Sequence, residues 1–162
     1  MKNVFTEADA ESQAEAIAAA AAIAIAEKLT VPAKHIYADL NLGKRSLRRG
    51  DYLDGFGELS QTVMAPVEFR TMDFRLMEPG AFLERYFQEA VESLGRQLSE
   101  SGVGVATFDL PAPCGVFCKA RAVYNGVAVR FVGGYDIAAD SFVGRIDVLF
   151  AHRTAEPATL AA

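Results

Sequence analysis

Residues 116–137 read Val116-Phe117-Cys118-Lys119-Ala120-Arg121-Ala122-Val123-Tyr124-Asn125-Gly126-Val127-Ala128-Val129-Arg130-Phe131-Val132-Gly133-Gly134-Tyr135-Asp136-Ile137. Two β-rich runs flank Asn125-Gly126. That dipeptide tolerates the positive φ that a two-residue hairpin turn demands, so the stretch is a β-hairpin. In its second strand Val127, Val129, Phe131, Tyr135 and Ile137 point one way, and Gly133-Gly134 predicts a bend or bulge.

Toward the C-terminus, Ala138-Ala139-Asp140-Ser141 is a turn. Phe142, Ile146, Val148 and Phe150 then alternate on one face of a last strand, with Arg145 and Asp147 opposite. Toward the N-terminus, Val103 to Leu110 is a strand closed by Pro111 and Pro113. Before it, Pro79 suits the first position of a helix that runs to Ser101. Leu83, Phe87, Ala90, Val91, Leu94 and Leu98 form its apolar face, and Gly102 suits its end. Val67 to Met77 reads as a strand whose alternation changes phase at Arg70-Thr71, as a bulge would make it. Asp51 is a cap for a short helix with Leu53, Phe56, Leu59 and Val63 at helical spacing, ended by Pro66. Lys34 to Leu40 is a short strand or an extended arm.

The first element is a helix from Glu7 to about Leu29. Thr6 and Asp9 have the spacing of a capping box with Asp in place of Glu, acidic residues crowd the first turns, and Pro32 stops the pattern. Such a helix is about 34 Å long. Its middle, Ala16 to Ala26, contains only Ala and Ile, so no side there is polar. A helix apolar all round has to be covered. Ile17, Ala20, Ala21, Ile23, Ala24 and Ile25 are therefore candidates for a contact with another subunit, the alternative being the core of the same domain.

The fold class expected is α+β: an N-terminal Ala-rich helix, then strand, helix and a four-stranded antiparallel meander, with the helix packed on a curved sheet. The order is compatible with hotdog and cystatin-like architectures, and no motif marks a member of either. Residues 1–32 form an N-terminal helical arm, 33–153 the α+β body and 154–162 a flexible tail.

The 162 residues are 51% hydrophobic and 23% charged, with 16 Lys plus Arg against 21 Asp plus Glu and a net charge of −5. A chain this apolar is not disordered, and its length suits one domain. The acidic balance argues against nucleic acid as the main partner. Acids precede the apolar run near the start, the wrong order for a secretory signal, and that run is too short to span a bilayer. The expected location is the cytoplasm, or a particle assembled there.

Residues that carry chemistry are few. Cys114 and Cys118, if on one strand, are about 13 Å apart, too far for a disulfide or a shared metal. His35 and His152 are the two histidines. Asn41 to Ser46 superficially resembles a phosphate loop but has Ala38 and Arg45 where that motif needs Gly and Ser or Thr. Lys44, Arg45, Arg48 and Arg49 form a basic cluster, a candidate contact for an anion or an acidic partner. Asp51, Asp54 and Glu58 lack calcium-loop spacing. No catalytic residue is identified, and no cofactor or metal is expected.

These readings favour a non-enzymatic structural or assembly subunit that oligomerises or docks into a larger protein particle, a virion for example. The alternative is a small hotdog-like or cystatin-like enzyme or binding protein for an apolar acyl or polycyclic molecule, with Glu78, Glu84, Asp109 or Asp136 as its acids.

Overall fold

The Asn125-Gly126 turn forms as its sequence dictates, with φ of 46° and 80° at its two residues. It joins β5 (Cys118–Tyr124) to β6 (Val127–Asp136), and the ladder runs from Tyr124↔Val127 to Cys118↔Gly133. The computed structural model describes residues 4–36, 60–63, 66–100 and 102–153. Around this hairpin stand α1 (Glu7–Glu27), β1 (Ala33–Ile36), β2 (Ser60–Val63), β3 (Val67–Phe69), α2 (Thr71–Leu76), α3 (Pro79–Tyr86), α4 (Gln88–Ser99), β4 (Gly104–Phe108) and β7 (Ser141–Arg153). The class is α+β.

β7 organises the sheet because it changes neighbours along its length. Residues 141–147 pair antiparallel with β6, and residues 149–153 pair antiparallel with β4. On its other edge β3 and then β2 pair with it. β1 adds to β4 in parallel, so the sheet is mixed. The β5–β6 turn swings round to β1, where a side chain at Gly126 would lie 2.2 Å from the Ala33 carbonyl oxygen. Thr107 fixes this contact: its hydroxyl donates to the Gly126 carbonyl (2.6 Å) and accepts from the Ala128 N–H (2.8 Å). The sheet is thereby curved almost to closure.

α1 begins with the expected capping box. Asp9 N–H donates to Thr6 Oγ1 at 3.2 Å and Thr6 N–H to Asp9 Oδ2 at 2.8 Å. These bonds hold the Asp9 carboxyl below its ordinary value. Ala10, Ala14, Ile17, Ala18, Ala21, Ala22 and Ile25 make one buried stripe against β5 and β6. Their small size lets the helix approach the strands closely. Glu11, Glu15, Ala19, Ile23 and Glu27, four residues apart, form the exposed line. α4 closes on the end of α1, where a side chain at Gly95 would meet Lys28 Cβ at 2.8 Å. Among the described residues no helix is long and apolar enough to cross a membrane.

Four elements depart from expectation. β3 ends at Phe69, and the residues after the phase change form α2 instead of a bulged strand. The reason is tertiary: Phe74 is drawn into the core while Asp73 is bonded by Arg70 and Tyr86. The helix expected from Pro79 to Ser101 breaks at Phe87 (φ −123°, ψ 13°), whose ring is fully buried against Phe82 and Phe131. The predicted face of Leu83, Phe87, Ala90, Val91, Leu94 and Leu98 is buried throughout. The β6–β7 ladder runs through Gly133 and Gly134 without a bulge. Of the helix expected after Asp51, residues 51–59 lie outside the described residues and Ser60–Val63 is strand.

The main core lies between α1, α2, α3 and α4 and the inner face of the sheet. Phe74, Phe82, Phe87, Phe131, Ile17, Ile25, Leu94, Leu98 and Ile146 are its fully buried centre. A second, smaller cluster of Ile36, Ala106, Phe108, Leu110, Leu149 and Ala151 occupies the outer face, where strand alternation turns every second residue.

Candidate functional site

The densest polar cluster stands on the outer face of β5, β6 and β7. Strand register puts Arg121 opposite Arg130 and Arg130 opposite Asp147. Arg130 Nε and Nη2 both donate to Asp147 Oδ2, at 2.9 and 2.5 Å, and the Asp147 side chain is wholly buried. Arg145 Nε lies 3.0 Å from Asp147 Oδ1. Sequence alternation puts Asp147 with Arg145 on the face opposite Phe142, Ile146, Val148 and Phe150. The available signal was a lone Arg in one apolar strand and a lone Asp in the next.

The cations on this face have a shared task. Leu110 to Pro113 crosses it as a strap, and its carbonyls accept from Arg121 (Leu110 O, 3.4 Å), Arg130 (Pro111 O, 2.7 Å) and Lys119 (Pro113 O, 2.9 Å). A cleft beside the strap, lined by Phe108, Asp109, Leu110, Arg121 and Arg130 among others, has no space wide enough for a water molecule. His35 Nε2 meets Asp109 Oδ1 nearby at 3.1 Å, with the His35 side chain nearly buried. This arrangement clamps the strap to the sheet, with ion pairs and hydrogen bonds meeting most of its buried polar groups.

A second cluster centres on Asp73. Its carboxylate accepts from the Tyr86 hydroxyl and from Arg70 Nε (3.2 Å) and Nη2 (3.4 Å), with Arg85 Nη1 at 4.0 Å. The Tyr86 bond, then the Arg70 bond, hold the Asp73 carboxyl below its ordinary value. Burial and the Asp73 bond push the Tyr86 phenol up. The cluster ties α2 to α3.

The third feature is a chain of rings that leads from the core to the surface. Phe74 meets Phe117 at 6.1 Å between centroids, Phe117 meets Phe142 at 5.7 Å, and Phe142 meets Tyr135 at 5.3 Å. Phe69, Phe142 and Tyr135 lie near one another across β3, β7 and β6, so the row starts buried and ends in solvent. At its outer end Tyr135 is 49% exposed and Ile137, two residues further along the chain, 84%; Met72 and Leu76 of α2, two residues either side of buried Phe74, are 59% and 75% exposed. The Tyr135 hydroxyl donates to Asp140, and Asp136 accepts from the N–H groups of Ala138 and Ala139 in the turn.

Of the candidate interface residues, Ile17, Ala21 and Ile25 face the protein's own sheet, Ala20 and Ala24 are half-buried and Ile23 is exposed. Lys44, Arg45, Arg48 and Arg49 lie outside the described residues. Glu78, Glu84 and Asp136 are exposed, and Asp109 is half-buried beside His35. His152 Nε2 is 3.1 Å from the Leu98 carbonyl oxygen. Cys118 is buried, which pushes its thiol up to about 12, and Cys114 is exposed. Among the described residues no three His, Cys, Asp or Glu side chains come together as metal ligands. No family model, curated protein or solved structure matches this chain.

Proposed function

We propose that this protein is a non-enzymatic assembly subunit that docks on protein neighbours through the aromatic end of its sheet. The observation that carries the reading is the outer end of the ring chain, where Tyr135 and, two residues on, Ile137 present apolar surface to water. Exposed apolar side chains with an aromatic ring among them and polar groups around them are what a protein interface is built from. The rings continue into the core through Phe142 and Phe74, so the surface is backed by rigid packing and little ordering entropy is lost when it is covered. The assembly in view is a multi-copy protein particle, a virion for example, built in the cytoplasm. On α1 the solvent line offers Ile23 as a lesser contact, flanked by Glu15, Ala19 and Glu27.

A photo-crosslinking residue at position 137, introduced into the full chain in the cell that makes it, tests this. Discrete protein adducts, absent when the same probe replaces exposed Glu84 on α3, support the reading. Absence of any discrete adduct from position 137 rejects it.

A further inference from the structure

We infer that the free edge of β5 is a docking site for an extended, acidic segment of a protein partner, which adds to the sheet there as a further strand. The site is separate from the ring-chain surface and does not rest on it. β5 is the last strand of the path β1-β4-β7-β6-β5 and pairs with β6 alone. β1, at the other end of the path, meets the hairpin at its tip, where Gly126 lies against Ala33, and does not pair with β5.

The register says which backbone groups are left over. Tyr124↔Val127 closes a two-residue turn. This pair and every second pair after it, Ala122↔Val129, Ala120↔Phe131 and Cys118↔Gly133, therefore exchange the ladder hydrogen bonds. The N–H and C=O groups of Lys119, Arg121 and Val123 point away from β6, and none of them has a hydrogen-bond partner among the described residues. Arg121, Val123 and Tyr124 are exposed, so water reaches this edge. Both faces of the strand are occupied. α1 packs on the side of Cys118 and Ala120, which are buried, and the strap lies over the side of Lys119 and Arg121. What remains open is the edge, a row of donors and acceptors that an extended chain can pair with.

Charge decides the occupant. Lys119 and Arg121 stand two apart on one face, and neither forms an ion pair among the described residues. The strap carbonyls they bond are neutral and leave both charges uncompensated. Arg130, opposite Arg121 on β6, is paired with Asp147. A second copy does not fit: two β5 edges overlapped antiparallel along their full length put one Arg121 guanidinium opposite the other, which is destabilising. A strand with Asp or Glu at alternate positions puts its carboxylates opposite Lys119 and Arg121 and gains from both pairs. Val123 and Tyr124 add apolar contact at the turn end. The three outward-facing residues supply about six main-chain hydrogen bonds to such a strand.

The test uses the full chain and an acetylated, amidated peptide of about seven residues that alternates Glu with Val. Titration followed by amide NMR is expected to give a Kd of roughly 10–100 µM. Hydrogen exchange slows at the Lys119, Arg121 and Val123 amides and changes little at Ala120 and Ala122, which are already bonded to β6. Affinity falls about tenfold between roughly 50 and 500 mM salt. The same peptide with Lys in place of Glu binds at least about tenfold less tightly. Val123→Pro removes one outward N–H, a change an edge strand tolerates, so the melting temperature holds while affinity drops about tenfold or more. Arg121→Glu lowers it likewise. No binding up to about 1 mM, protection at amides outside β5, equal binding of the Lys peptide, or an affinity untouched by Val123→Pro overturns the inference. Adducts from position 137 stand or fall independently of all four.

Discussion

Gly133 of β6 and Gly144 of β7 lie directly opposite one another, and the strip they leave bare on the inner face is filled by side chains from elsewhere. A side chain at Gly133 would meet Cys118 Sγ at 2.7 Å. One at Gly144 would meet ring atoms of Phe69, Phe131 and Phe87 at 2.9, 3.2 and 3.2 Å. The pair of glycines therefore sets how closely the aromatic core can approach the sheet.

Adding one methyl group at either position forces packed rings or a buried thiol to move. Gly144→Ala and Gly133→Ala are each expected to cost about 1–3 kcal/mol by overpacking. Gly134→Ala, with nothing within 4 Å, is expected to stay within about 0.5 kcal/mol of wild type. Urea midpoints at constant slope measure all three.

The near-closure of the sheet depends on one hydroxyl. Thr107→Val removes the donor to the Gly126 carbonyl and the acceptor for the Ala128 N–H. Leaving those groups without partners costs about 1–3 kcal/mol. Amide exchange should rise first at Ala128. Gly126→Ala should cost more than Gly→Ala elsewhere, because its φ is +80° and the Ala33 backbone stands in the way.

The outer-face ion pair is expected to behave asymmetrically. Arg130→Met leaves the buried Asp147 carboxylate with only the poorly aligned Arg145, and frees the Pro111 carbonyl as well. Breaking such a pair costs about 3–5 kcal/mol. Arg130→Met with Asp147→Leu should be more stable than Arg130→Met alone, since the uncompensated charge is gone. Denaturant unfolding of the two variants decides it.

Asp73 confers a pH dependence whose sign follows from its environment. Its folded value lies below the ordinary 3.8, so its contribution is fully present above that value and is lost as pH falls through the folded value. Wild type should lose more stability between about pH 5 and pH 2 than Asp73→Asn. Tyr86→Phe, which removes the largest of the bonds that lower Asp73, should shrink the difference. Thermal melts across this range test both.

Much of the fold was legible because its signals are local. Asn125-Gly126 specifies its own turn, Thr6 and Asp9 their own capping box, and the face from Leu83 to Leu98 its own burial. Where the sequence misled, the deciding contact was distant. Alternation through Met72, Phe74 and Leu76 is period-two on paper, yet only Phe74 reaches the core, because a helical turn lets Asp73 meet Tyr86. The break at Phe87 has the same origin in the rings around it.

The candidate site divides in the same way. The apolar Ala/Ile run of α1 announces that something must cover it, and chain order cannot say whether that cover is β5 and β6 or a neighbour. Charge patterning marks Asp147 as a strand residue facing out, and the strap from Leu110 to Pro113 makes that face an interior. The sequence by itself determined the hairpin, the capped helix and the α+β class, since each rests on residues a few positions apart. Only the tertiary structure decided the parallel pairing of β1 with β4 and the burial of Asp147. It also decided the row of rings from Phe74 through Phe117 and Phe142 to Tyr135, because these relations join residues that share no local signal.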